Sequence, residues 1–441
     1  MESGSELGGA LPEVARVRAL LFAVPSVRSR VGAGVRSGVA FGVPAAVVVG
    51  MGHAQEALFV TLGAFAIMYG DGRAIRTRGM FVFVAGAALL AAALVGAGVG
   101  RAVIGFGGAA VVTAVFITVV ATMAVALLTG LRAGPPGGLF FALTGSAAMV
   151  AAESGVPVGV IAGYAALGWV SALAVTGVSI AVDRWRGASW AKPEVPSVGY
   201  RLRRAASPHS HTWTTTARVL VACGVAGGIG VAAGSLRPHW AVISALVILG
   251  AGPDRVRGHA KAIHRIAGTI AGLVLFAGLW QLHPSGYVLV VMLAVLMFAI
   301  DLFIAGNYAL AVTFLTPTAM FAGGAGTLSG SAGPIMRDRF LETLIGVAVA
   351  AVALNVVDRH AHRRGLHWTE QRVRTAAAEL AAAPAGDPDT DRLRVQLDFE
   401  LSGYQSAGID SAHNDSAWIE ERWDSHTELV AHGRKLLEHA G

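Results

Sequence analysis

The chain is short of charge and almost without sulfur chemistry. One cysteine occurs in 441 residues, Cys223, inside an apolar run. A lone thiol excludes a disulfide within the chain, and burial as a small packing residue is its expected role. Charged residues are 14% of the total, against roughly a quarter in ordinary soluble domains. No GxxxxGK followed by Ser or Thr occurs, so ATP hydrolysis by this chain is not expected. Neither GxSxG nor HExxH is present, and no dinucleotide fingerprint stands between a strand and a helix, so an enzyme is not expected. No His, Cys and carboxylate spacing suggests a metal, and no cofactor is expected. The N-terminal stretch MESGSELGGALPEVARVRAL lacks a compact apolar core followed by a cleavage site, so no signal peptide is expected.

What the chain does have is apolar length. Hydrophobic residues make up 54% and glycines number 57, a composition suited to helices packed closely in lipid. A spanning helix needs about 20 mostly apolar residues. Twelve candidate runs occur, roughly 33–50, 55–70, 79–99, 102–130, 137–152 and 157–182, then 217–234, 236–251, 262–282, 286–303, 307–324 and 338–357. The runs at 55–70, 137–152 and 236–251 are short for a span. The run at 102–130 is long enough to be strongly tilted or broken.

Arg and Lys alternate between rich and poor loops. The rich set holds Arg73, Arg76, Arg78, Arg132, the 184–204 segment, Arg255, Arg257, Lys261, Arg265, Arg359, Arg363 and Arg364, and the N-terminal arm adds Arg16, Arg18, Arg28 and Arg30. The poor set holds Arg101, Arg237, Arg337 and Arg339, of which the last two fit least well. Positive loops stay cytoplasmic, so both termini are expected inside a cell (inner or plasma) membrane.

The chain also repeats. Laying 36–73 on 218–255 aligns Arg36 with Arg218, Gly42 with Gly224, Gly52 with Gly234, Gly70 with Gly252 and Arg73 with Arg255. Six runs per half give both halves the same orientation, a parallel repeat about an axis along the membrane normal. The expected organisation is a basic arm (1–32), a first transmembrane repeat (33–182), a polar linker (183–216), a second repeat (217–357) and a polar tail (358–441). In the tail Leu393, Leu397 and Leu401 recur at helical spacing, as do Ile419 and Trp423, so a small cytoplasmic helical domain is expected, packed on itself or on a second subunit. The expected fold is an all-α membrane protein of two six-helix repeats with that domain appended.

One stretch concentrates charge, GAGPDRVRGHAKAIHRIAGTIAG at 250–272. It has no aromatic on which a base could stack, so nucleic acid is not an expected partner. His259 and His264 have no carboxylate cluster or cysteine beside them, which argues against a metal. The first part reads as a positive cytoplasmic loop. In the second, Gly268 and Gly272 form GxxxG, which lets another helix approach. Arg265, at the join, is a candidate anion contact.

The ordered set RPHWAVISALVIL (237–249), HRIAGTIAG (264–272), GNYALAVTFLTPTAM (306–320) and RFLETLIGVAVA (339–350) resembles the second half of fusaric-acid-resistance-like proteins. These belong to the aromatic acid exporter superfamily, which includes plant aluminium-activated malate channels. RSGVAFGV (36–43) and GPPGGLFFAL (134–143) resemble the same module in the first half. Glu342 stands where the family usually has Asp, and the first half has no counterpart of Trp240 or of the Glu342–Thr343 pair. The resemblance implies transport of organic anions, aromatic carboxylates foremost.

The residues can be read for that chemistry. Arg36 and Arg218, near corresponding helix ends, are either interface anchors or guanidinium groups on a shared path, where bidentate bonds suit a carboxylate. His239 and Trp240 are either an interfacial anchor or a stacking surface beside an imidazole. Asn307, Tyr308 and Thr316–Pro317 mark a kinked, cavity-lining helix or a kink alone. Thr269 joins Arg265 as a pathway candidate. Glu342 and Asp301 are intramembrane carboxylates and candidate proton carriers, although Glu342 could instead pair along its helix with Arg339. Export coupled to the proton-motive force is the leading expectation. A passive anion channel and a membrane scaffold that recruits partners through its tail are the alternatives. Expected partners are small organic anions, protons, the lipid bilayer and a possible second copy of the chain.

Overall fold

The computed structural model describes residues 27–134, 136–190, 194–234, 237–250, 252, 254–323, 332–384 and 389–439. Among these residues every regular element is a helix. The first set is α1 (Val27–Gly50), α2 (Glu56–Gly70), α3 (Ile75–Ala102), α4 (Ala109–Gly130), α5 (Leu139–Glu153) and α6 (Val158–Trp185). The polar linker contains a helix of its own, α7 (Val198–Ala205). The second set is α8 (His211–Ala232), α9 (His239–Leu249), α10 (Arg255–Trp280), α11 (Gly286–Phe303), α12 (Tyr308–Gly323) and α13 (Ala332–Val356). The tail forms α14 (Ala361–Ala382), α15 (Thr390–Asn414), α16 (Ser416–Glu420) and α17 (Trp423–His439).

Eight helices are long and apolar enough to cross a bilayer: α1, α3, α4, α6, α8, α10, α11 and α13. The other four apolar runs form shorter helices, α2, α5, α9 and α12. Of the expected run 307–324, residues 308–323 are helical, and 324 lies outside the described residues. The 11 residues of α9 rise only about 16 Å, against a hydrocarbon core of about 30 Å. Short helices survive at that depth when protein encloses their ends. Here every residue of α9 and most of α5 are buried. The run at 102–130 is divided: α3 continues to Ala102, and Gly105, at φ 76°, turns the chain before α4. Helix α13 begins at Ala332, before the expected 338, and Arg339 lies well inside it and is buried. It is not a loop residue, which explains its poor fit to the charge pattern.

The long helices show lipid-type faces. Val35, Val39, Val43 and Val47 form an exposed stripe on α1, and Val111, Val115 and Val119 do so on α4. Apolar stripes of that extent are faces a bilayer covers.

The pairings recur in the two sets. In each, the first helix packs on the second and sixth, the second on the sixth, the third on the fifth and sixth, and the fourth on the fifth. The fourth helix of each set then packs on the first helix of the other, α4 on α8 and α11 on α1. Small residues permit the third–fifth contact. A Cβ at Gly96 of α3 would lie 2.3 Å from the Gly145 carbonyl oxygen of α5, and one at Gly268 of α10 would lie 2.4 Å from the Ala309 carbonyl oxygen of α12. The GxxxG at Gly268 and Gly272 is therefore a packing seam.

The tail has its own core, in which Leu397, Leu401, Ile419 and Trp423 pack together. It is tied to the bundle by polar contacts at one end. Arg204 of α7 meets Glu400 of α15 at 2.9 Å, both buried. The side chain of Asn414 accepts from Nε of Arg255 at 2.7 Å, and Asp254 meets His413 at 2.8 Å. This end of the bundle is called the tail side below, and the opposite end the far side.

Candidate functional site

Two cavities lie along the contact between the two sets. The tail-side vestibule, about 710 Å³, is walled by α4, α5, α9, α10 and α12 and roofed by α14 and α15. Its lining includes Leu139, Leu246, Lys261, Tyr308 and Trp368. That volume suits a small organic solute. The far-side cavity is small, about 40 Å³, and is lined by Thr61, Ser146, His239, Trp240, Leu315 and Thr318. Those residues come from α2, α5, α9 and α12, the four short helices, two from each set. The space is large enough for only a few waters.

The cavities are almost in line. On α5 the lining passes from Leu139 to Leu143, on α9 from Leu246 to Trp240, and on α12 from Tyr308 to Leu315. These steps correspond to about 6–10 Å along a helix. Phe140 and Ile243, both fully buried, lie within these intervals on α5 and α9. The partition is thin, filled by these two side chains, with Ser244 of α9 also inside the interval.

Two cations stand at this partition. Arg265 of α10 is fully buried. It donates to the Tyr308 hydroxyl at 3.1 Å and to the Ser244 hydroxyl at 3.2 Å, while its Nε has no hydrogen-bond partner among the described residues. Arg339 of α13 lies 3.7 Å over the Trp240 ring. Its Nε and Nη1 are buried without a hydrogen-bond partner among the described residues. Each arginine thus touches an aromatic that lines one cavity, Tyr308 for the vestibule and Trp240 for the far cavity. The two are close enough to repel one another, with Glu342 the neighbouring carboxylate that attracts Arg339. Burying guanidinium nitrogens without a hydrogen-bond partner is costly. An anion seated between them would supply what the protein does not.

The other expected residues take distinct places. Trp240 and His239 are buried, so neither is a lipid-facing anchor, and their rings lie 4.8 Å apart. The Arg237 backbone N–H donates to Glu342, and Arg339, one turn away on the same helix, lies over Trp240. Thr269 is fully buried near this group, with its hydroxyl unpartnered among the described residues. Asn307 caps α12, accepting from Ala309 N at 3.1 Å and Leu310 N at 3.2 Å. Arg36, Arg218 and Asp301 do not line either cavity. Arg36 donates to Asp71 at 2.8 Å, and Arg30 bridges Asp71 (2.7 Å) and Asp301 (3.4 Å). The Ser37 hydroxyl donates to Asp301. Arg218 closes the end of α13, donating to the carbonyls of Val357 (2.9 Å) and Asp358 (3.0 Å). The repeat-related arginines therefore fasten helix ends and do not meet.

Arg339, Ser244, Lys261 and Arg132 are site residues that the pattern of the sequence did not single out. Arg339 alone left a trace, as a positive charge in a loop class that should have none.

Lipid-facing long helices around an enclosed, twice-hollowed interior define a multi-pass membrane protein. Residues 215–353 match the family described as fusaric acid resistance protein-like. The uncharacterized membrane protein YvaC of Bacillus subtilis (strain 168) is 30% identical over 233 residues, covering 51% of this chain and 36% of that protein. The chain therefore aligns with little more than a third of the relative's length. No solved structure matches. The matched residues 215–353 overlap the stretch 237–350 that carries the resemblance.

Proposed function

We propose that the protein exports small organic anions, aromatic carboxylates foremost, through the contact between its two helix sets. The observation that carries this reading is the pair of under-satisfied buried arginines at a thin partition between two aligned cavities. Arg265 and Arg339 attract the carboxylate, and Trp240 and Tyr308 offer ring faces to an aromatic body. The recurring pairings support a pseudo-two-fold axis along the membrane normal, with the path near it. Both termini and the tail lie on the cytoplasmic side of a cell membrane, so the large vestibule faces the solute to be exported.

Coupling to the proton-motive force runs through Glu342, which sits beside Arg237 and Arg339. Protonating Glu342 strengthens the net positive charge of the group and favours anion binding. Deprotonation opposes it and favours release. Asp301 is the weaker candidate for this role, because Arg30 and Ser37 already hold its carboxylate.

The test is retention of a panel of aromatic acids in cells with and without the protein, at two external pH values. Lower retention with the protein, dependent on pH, is expected. Equal retention of every organic anion overturns the reading.

A further inference from the structure

The vestibule wall carries charge that the partition does not use. Arg132 follows α4 with a left-handed backbone (φ 47°), a conformation arginine rarely adopts and one that collects at functional positions. Its guanidinium lies 3.7 Å over the Phe399 ring and donates to the Phe399 carbonyl at 3.1 Å. It lines the vestibule and forms no ion pair among the described residues.

Behind it stands Arg204. Its Nε is held by both oxygens of Glu400, at 2.9 and 3.2 Å, while its Nη2 is buried with no hydrogen-bond partner among the described residues. Arg372 and the Tyr200 hydroxyl also bond Glu400, each at 2.8 Å. That carboxylate is saturated, shared by two guanidiniums and a hydroxyl. Burial first, and Arg204 second, lower the Arg132 pKa to about 10, with Glu400 offsetting part of the shift. Arg132 stays cationic at neutral pH.

Gly403, on the vestibule wall, marks where two of these cations converge. A Cβ there would lie 2.5 Å from an Arg132 nitrogen and 2.8 Å from an Arg204 nitrogen. Trp368 lines the same cavity, with the Arg204 guanidinium 4.8 Å from its ring centre.

We propose that this wall is an anion-binding subsite for a small aromatic carboxylate, held by Arg132 and Arg204 across Gly403 with its ring against Trp368. A guanidinium with no ion pair among the described residues, beside one whose buried Nη2 has no hydrogen-bond partner among them, suits a planar carboxylate, and an indole suits an aromatic ring. The choice of ligand rests on the export reading: the subsite is where the solute docks before it reaches the partition.

The test uses the full chain in lipid nanodiscs, titrated calorimetrically with benzoate and separately with inorganic phosphate, with thermal unfolding as a check of the fold. The wild type is expected to bind benzoate. Arg132→Gln weakens that binding about tenfold, the loss of one charge-assisted hydrogen bond. Trp368→Leu weakens benzoate and leaves phosphate unchanged. If Arg132→Gln unfolds early, Arg132→Lys replaces it, keeping the charge without the planar fork, and intermediate affinity is expected. In efflux assays Arg132→Gln raises the half-saturating benzoate concentration about tenfold without lowering the maximal rate. Unchanged benzoate affinity in the folded variants overturns the subsite. Arg132-dependent binding in a protein that exports no anion keeps the subsite and removes the export reading. Export with an unchanged half-saturating concentration does the reverse.

Discussion

At the scale of single residues, buried cations define the site. Arg265, Trp240, Tyr308 and Glu342 are legible in the sequence because each is a polar or aromatic residue within an apolar run. Arg339 is not, because it stands at the edge of its apolar run among other charges and its partner, Trp240, is about a hundred residues away in sequence. Replacing Arg339 by Gln is expected to reduce organic-anion efflux roughly 10–100-fold, the worth of a charge-assisted hydrogen bond, with the amount of protein in the membrane unchanged. Parallel efflux and immunoblot measurements check both halves. Asp410, in the tail and on the vestibule wall, should set a pH dependence. Burial first, and Asp254 second, push its pKa up to about 7, against the pull of Arg257 and His413. The folded state then holds a proton that the unfolded chain has released between about pH 4 and pH 7. Stability contributed by this group therefore falls as pH rises through that window and is constant above it. Asp410→Asn should flatten the corresponding fall in melting temperature, measured on the full chain from pH 5 to pH 8.

At the scale of elements, the four short helices carry the most information. Their existence is readable from the apolar runs, and three of the four are visibly short. What the sequence does not mark is that α2 changes from 3-10 to α and back to 3-10 helix along its length. Nor does it mark every close approach. GxxxG announces the seam at Gly268 and Gly272, whereas Gly346 of α13 stands alone. A Cβ at Gly346 would lie 2.2 Å from the Ala241 carbonyl oxygen of α9. Gly346→Ala should push α13 from α9 and destabilise the protein by about 1–3 kcal/mol. Because Trp240 and Arg339 sit on those two helices, efflux should fall with it. A lowered detergent melting temperature, against an unchanged one for Gly333→Ala, where nothing lies within 4 Å, is the measurement.

At the scale of the whole molecule, the order of the two sets is legible from Arg36 and Arg218, but their mutual packing is not. The contacts of α4 with α8 and of α11 with α1 join residues far apart in sequence, which local periodicity cannot register. The docking of the tail is hidden for the same reason: Glu400 looks like one of many surface acids, yet it is fully buried against Arg204. Removing one partner of such a pair strands the other and costs about 3–5 kcal/mol. Glu400→Ala should therefore loosen the tail from α7, detected as proteolysis within 360–441 at lower temperature than in the wild type. Unaltered cleavage would show that the apolar core of the tail alone keeps it in place. Deleting 360–441 separates transport from recruitment: retained efflux argues against a purely scaffolding role.

The short helices have one more effect, independent of any side chain. Helix α9 starts at His239, on the wall of the far cavity, while α5 and α12 start at Leu139 and Tyr308, on the wall of the vestibule. Neither α5 nor α9 has a side-chain hydrogen bond capping its first turn, and the start of a helix carries about half a positive charge. On the export reading, the starts of α5 and α9 would add backbone attraction for negative solutes, offset in part where the C-terminal ends of α9 (Val247, Gly250) and α5 (Val150) line the opposite chambers. Variants lacking Arg265 or Arg339 should pass fewer ions yet still discriminate against cations.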